Sequence, residues 1–131
     1  MITPIISDKR PIINVNINNK EVSMLVDTGS SLGIIDINKQ KESGFKLTSK
    51  IPGTISGIGG ESDSSAYNIK DCIVDIAGVK LYQFISTDIS SVVESIKNST
   101  GIEIYGIIGF TQIDMAEMKI DIDNKVIKIG Y

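Results

Sequence analysis

The chain has 131 residues and a formal net charge of −3; it is 41% hydrophobic and 22% charged, with one cysteine and neither histidine nor tryptophan. That length allows one domain around one core, residues 1–131, and the acidic balance argues against a nucleic-acid or anionic-membrane surface. The lack of histidine excludes Ser-His-Asp and Cys-His chemistry and ordinary zinc sites, and the single cysteine excludes an internal disulfide.

Isoleucine fills roughly a fifth of positions and alanine is scarce, a mix that favours strands over helices. Met1 to Arg10 lacks the apolar stretch of a secretory signal, and no apolar run is long enough to span a bilayer. The expected compartment is therefore the cytoplasm, unless the chain is a fragment of a larger protein. Pro11 to Ile17 is predicted as a strand with Ile13, Val15 and Ile17 on one face. Asn18-Asn19-Lys20 makes a turn and Glu21 to Val26 returns, a hairpin by alternation and turn chemistry. Gly33 to Ile37 reads as another apolar strand, and Asn38 to Ser49 as a polar segment broken at Gly44, with room for a short helical turn.

Pro52 to Ile69 has two polar, mostly extended arms around Gly57-Ile58-Gly59-Gly60, the pattern of a long hairpin with a glycine-rich tip. An apolar Ile58 at that tip argues against a bland linker. Cys72 to Ile76 and Val79 to Ile85 form a second predicted hairpin across Ala77-Gly78, with Cys72 as a small core residue. Ser90 to Asn98 is predicted as a helix, capped by Ser90, with Val92, Val93 and Ile96 on one face. Ile102 to Ile108 reads as a strand interrupted by Gly106. Phe110 to Met118 reads as a short helix with Ile113 and Met118 inward. Lys119 to Ile122 and Lys125 to Ile129 close the chain as two strands joined by Asp123-Asn124.

The chemistry lies at Asp27-Thr28-Gly29-Ser30, which follows the apolar run Met24-Leu25-Val26 and occurs once. A carboxylate at the end of a buried strand is costly unless paired or hydrogen-bonded, and is therefore a candidate for chemistry. Thr28 and Gly29 bend the chain and present backbone N–H groups to it, and Ser30 adds a hydroxyl. Two such carboxylates side by side share one proton, because like charges at that distance cannot both ionise. The pair can then take a proton from water and give one to a leaving group. Asp36, Asp114 and Asp121 lack this setting and are expected at the surface or as caps. Gly57 to Gly60 lacks the lysine and βαβ context of a phosphate loop, and no acidic spacing matches an EF-hand.

Taken alone, Asp-Thr-Gly is equally an ordinary turn. In context it resembles the active-site motif of aspartic proteases. Ser56-Gly57-Ile58-Gly59-Gly60 resembles the flap tip of retroviral proteases, and Tyr105-Gly106-Ile107-Ile108-Gly109 resembles their hydrophobic-hydrophobic-Gly segment, followed as there by a short helix and a closing strand. The three segments keep the family's order from about Pro11 to Ile129, so the chain is similar to retropepsin-like proteases over nearly its whole length.

That resemblance implies a mostly β, closed acid-protease barrel with one or two short helices. It implies a homodimer acting as an endopeptidase on an extended peptide or protein substrate, with one Asp27 per protomer and no metal or cofactor. Thr28 would bond across the dimer axis, Gly29 would contact carboxylate and substrate backbone, and Ser30 would bond the outer carboxylate oxygen. Ile107, Ile108 and Gly109 would back the catalytic loop and line part of the groove. A flap near Ile55 to Glu61, including Gly57, Ile58, Gly59 and Gly60, would close over the substrate. The length supports the dimer independently, since one carboxylate cannot form a pair and the chain is too short for two lobes.

Four departures from the retroviral pattern stand out, and a cellular or bacterial member is expected. Phe110 stands where the retroviral enzymes have arginine and many cellular relatives a polar or acidic residue, Thr87 to Tyr105 is long enough to add a helix, Ser30 replaces the alanine common in retroviral enzymes, and the arm Glu61 to Ala66 is unusually polar. Phe110 and the polar arm also motivate the alternative, a catalytically inert dimerisation or peptide-binding module of the same fold.

Overall fold

The computed structural model describes residues 2–52 and 65–130. The first strand, β1 (Ile2–Pro4), was not expected from the sequence; it is three residues long and pairs antiparallel near the other end of the chain. The predicted hairpin forms as β2 (Ile12–Ile17) and β3 (Lys20–Val26). Its two-residue turn puts Asn18 and Asn19 at φ of 50° and 70°, a left-handed region that asparagine tolerates.

Strand β4 (Gly33–Asp36) follows the Asp27–Ser30 loop. A 3-10 turn (Ile37–Lys39) and helix α1 (Gln40–Ser43) then end at Gly44, whose φ of 83° terminates the helix. The polar segment beyond it contains a strand that the sequence reading passed over, β5 (Lys46–Ile51). It pairs antiparallel with β6 (Ala66–Lys70); of the long hairpin predicted over Pro52 to Ile69, residues 53–64 lie outside the described residues. Ile55, Gly57, Ile58, Gly59 and Gly60 lie outside the described residues.

Strands β7 (Val74–Ile76) and β8 (Val79–Leu81) form the second hairpin, turning at Ala77 and Gly78 with φ of 50° and 90°. Phe84 and Ile85, predicted as its continuation, instead open β9 (Phe84–Thr87), which leaves that hairpin and pairs parallel with β4, because Gln83 at φ 69° redirects the chain. Helix α2 (Ser90–Thr100) ends at Gly101, φ 78°. Strand β10 (Ile104–Ile108), helix α3 (Phe110–Met115), β11 (Lys119–Asp121) and β12 (Val126–Lys128) complete the chain.

Nine strands form one sheet in the order β5-β6-β9-β4-β10-β3-β2-β7-β8, and β1-β12-β11 form a second. The larger sheet does not close into the expected barrel: its edges, β5 and β8, do not pair. Strand β5 pairs with β6 alone and β8 with β7 alone, so each keeps an open edge among the described residues. One side chain in the β2–β3 turn instead ties together the segments before β5 and between β6 and β7. Asn18 donates from Nδ2 to the carbonyls of Ser43 and Asp71, both at 2.8 Å, and accepts the Ile73 N–H at 2.8 Å.

Both faces of the central strands are covered, which is why β10 and β4 read as nearly continuous apolar runs. Ile13, Val15, Ile17, Met24, Val26, Ile35 and Ile108 fill the main core. On the other face Ile12, Leu25 and Ile104 pack against Ile96 of α2, and beside them Ile34 and Ile107 pack with Ile89 at the start of that helix. Val92, Val93 and Ile96 supply the inward face of that helix, as its spacing predicts, and burying Ile96 contributes about 2 kcal/mol.

Candidate active site

The site is built where β3 and β10 end side by side. These strands run parallel with Val26 opposite Ile108, so Asp27 and Gly109 emerge from the sheet together. The ladder extends one step further, the Asp27 N–H donating to the Ile108 carbonyl at 2.9 Å. Strand β4 begins beside them, antiparallel to β10. Fit between these strands depends on a missing side chain: a Cβ on Gly106 would lie 2.3 Å from the Ile34 carbonyl oxygen.

The turn after Asp27 fixes its carboxylate. Gly29 donates its N–H to Asp27 Oδ1 at 2.9 Å, and Ser30 donates its N–H to the Asp27 carbonyl at 3.2 Å. Asp27 and Ser30 are half-buried, and Thr28 and Gly29 are exposed. The Ser30 hydroxyl donates to the Leu32 carbonyl at 2.8 Å, and so braces the loop rather than bonding the outer carboxylate oxygen.

Helix α3 clamps this loop from behind. Phe110 N–H donates to the Ser30 carbonyl at 2.7 Å and the Thr111 hydroxyl to the Ser31 carbonyl at 2.9 Å. Gly109 is required by the approach, since a Cβ there would sit 2.1 Å from the Leu32 carbonyl oxygen. The residue that sequence reasoning missed is Gln112, which is 1% exposed. Its Oε1 accepts the Gly109 N–H at 3.1 Å, while its Nε2 donates to the carbonyls of Tyr82 and Gln83 at 2.9 and 3.0 Å. It also packs against Gly33, where a Cβ would fall 2.5 Å from the amide. Nothing local in the sequence marks it, because its burial and its partners arise only in the fold.

Ile107 and Ile108 back the loop but are 3% and 0% exposed, Ile107 packed beneath α2 and Ile108 in the main core. Next to Asp27 is an open groove of about 330 Å³ between the Asp27 loop and α2, with Leu25 and Val92 among its lining residues. Leu32 and Phe110 stand exposed beside the loop.

The other carboxylates take structural places. Asp36 is buried and accepts the Asn38 N–H at 3.2 Å. Burial pushes its carboxyl up, and the nearby Asp88 charge adds to this. Asp114 is exposed, and Asp121 accepts the Asn124 N–H at 3.1 Å in the last turn.

A family model described as aspartyl protease matches residues 13–111, which includes both the catalytic loop and Ile107-Ile108-Gly109. No curated protein matches the chain by sequence. Among solved structures, the retroviral protease-like domain of Ddi1 from Leishmania major superposes with a TM-score of 0.62 at 19% identity, over 90% of this chain and 86% of that one. A retropepsin-like aspartic protease from Rickettsia conorii gives 0.62 at 17% identity, over 100% of this chain and 89% of that one. The EIAV protease, complexed with the inhibitor HBY-793, gives 0.57 at 19% identity, over 86% and 93% of the two chains.

Proposed function

This chain belongs to the retropepsin-like aspartyl protease family, and from that premise we propose that it is an endopeptidase whose catalytic pair consists of Asp27 from each of two copies. The observation that carries the reading is Asp27 itself: a carboxylate fixed by the Gly29 N–H, half-exposed on a groove, and present once per chain in this setting. Facing its counterpart, it would share one proton, since two carboxylates in contact cannot both ionise. One Asp27 would take a proton from water as that water attacks the scissile carbonyl carbon. The other would protonate the carbonyl oxygen, and the tetrahedral intermediate would then collapse with proton transfer to the leaving amine. The exposed Leu32 and Phe110 supply an apolar rim suited to a second copy or to an extended peptide. A glycine-rich flap at Ile55 to Glu61 would cover the substrate.

Asp27→Asn is expected to lower kcat/KM on an unstructured protein substrate at least about a hundredfold while leaving the fold intact. A pepstatin-type inhibitor should block the parent. Undiminished cleavage by the purified variant would remove Asp27 from the chemistry. One observation favours a second reading, an inert dimerisation or peptide-binding module: the Ser30 hydroxyl is turned to Leu32 and leaves the outer carboxylate oxygen to other donors. A dimer that is inert at every pH and still binds peptides would establish that reading.

A further inference from the structure

Building on the endopeptidase reading, we propose that Arg10 selects the substrate: its guanidinium binds the carboxylate of an acidic side chain that enters the groove beside the scissile bond. Preferred substrates are then peptides carrying glutamate or aspartate at that position. The groove is lined by Arg10, Leu25, Asp27, Val92, Ser95 and Ile96. Leu25 and Ile96 are 5% and 2% exposed and form an apolar base, and half-buried Val92 adds to it. Such a base suits the aliphatic stem of a side chain, leaving its polar end to a convergent charged group.

Arg10 is the only arginine of the chain. It is exposed and makes no ion pair among the described residues. The backbone around it is nonetheless held on three sides. The Pro11 carbonyl accepts the Val26 N–H at 2.9 Å, next to Asp27. Lys9 Nζ donates to the Ser99 carbonyl in the last turn of α2 at 3.0 Å, and the Arg10 N–H reaches the Ser7 hydroxyl at 3.4 Å. A planar guanidinium placed this way matches a carboxylate with two parallel hydrogen bonds. The groove's own negative charge sharpens the argument. A second carboxylate next to Asp27 is repelled unless a cation accompanies it, and among the described residues Arg10 is the only cation lining this surface.

The test uses peptides with glutamate, glutamine or leucine at each position flanking a cleaved bond. Each is measured as kcat/KM with the parent and as equilibrium binding to the Asp27→Asn protein at neutral pH. At one position glutamate should exceed glutamine by about tenfold or more in both measurements. Arg10→Gln should erase that preference, Arg10→Lys should retain part of it, and Arg10→Glu should shift it towards lysine. Efficient cleavage with glutamate and glutamine equal at every position overturns the role of Arg10 and leaves the endopeptidase reading standing. Arg10-dependent binding of the glutamate peptide without any cleavage by the parent overturns the endopeptidase reading and supports the role of Arg10. Loss of the dimer in Arg10→Gln, with all peptides affected alike, also overturns the proposal, because Arg10 then holds the second copy.

Discussion

Gln112 shows how one buried amide can set the position of the Asp27 loop, which it does not touch. It joins the Gly109 N–H to the carbonyls of Tyr82 and Gln83, and so ties α3 to the start of β9 behind Asp27. Gln112→Leu keeps roughly the volume but leaves the buried Gly109 N–H without an acceptor, at a cost of about 2 kcal/mol. A lower urea midpoint with an unchanged slope is the expected result, accompanied by reduced kcat because Gly109 touches Leu32 directly. An unaltered midpoint would mean that water replaces the amide. Asp27 was legible in the sequence because its motif is local: an apolar strand end, a glycine turn and a carboxylate in adjacent positions. Gln112 was not legible, since its partners lie 3, 29 and 30 positions away and only the fold brings them together.

At the scale of elements, α2 covers one face of the central strands and walls the groove, so its start is worth fixing. Ser90 was expected to cap it; instead Asp88 Oδ1 accepts the Ser90 N–H at 2.9 Å. Asp88→Ala should cost about 1 kcal/mol at neutral pH. That bond from the Ser90 N–H is the main reason the Asp88 carboxyl is held below its ordinary value of 3.8. A carboxylate depressed in the folded state contributes stability that is present above its unfolded value and lost as pH falls through the folded one. The gap between parent and Asp88→Ala should therefore narrow on acidification below 3.8, as denaturant melts at neutral and acid pH would record. A gap that stays constant would refute the cap. Elements with strong periodicity, β2, β3, β10 and α2, were readable because their apolar faces are their own. Strand β5 was not, because Lys46 to Ile51 offers only Leu47 and Ile51 as apolar residues and gains its pairing from distant β6. Strand β1 is likewise defined only by β12, more than a hundred residues away.

For the whole molecule, the question is what surface a second copy would use if Asp27 is half of a carboxylate pair, as proposed. The expected closed barrel would have left no ladder edges, whereas the observed sheet ends in β5 and β8, and the smaller sheet in β1 and β11. Strand β1 is already paired with β12 of its own chain, so association through the termini would have to add to the outer edge of β1 or of β11. Whatever surface two copies would share, the proposed mechanism sets a quantitative demand: both must carry Asp27. Mixing parent and Asp27→Asn subunits in equal amounts, with time to exchange, should leave about a quarter of the dimers with two intact carboxylates by random pairing. Activity per total protein should fall to that level, below the half expected if each copy worked alone. Dilution of the parent should lower specific activity in the same way, since free monomer has no pair. Activity proportional to the parent fraction, and indifferent to dilution, would assign the chemistry to a single chain and require a second acid that the groove beside Asp27 does not contain.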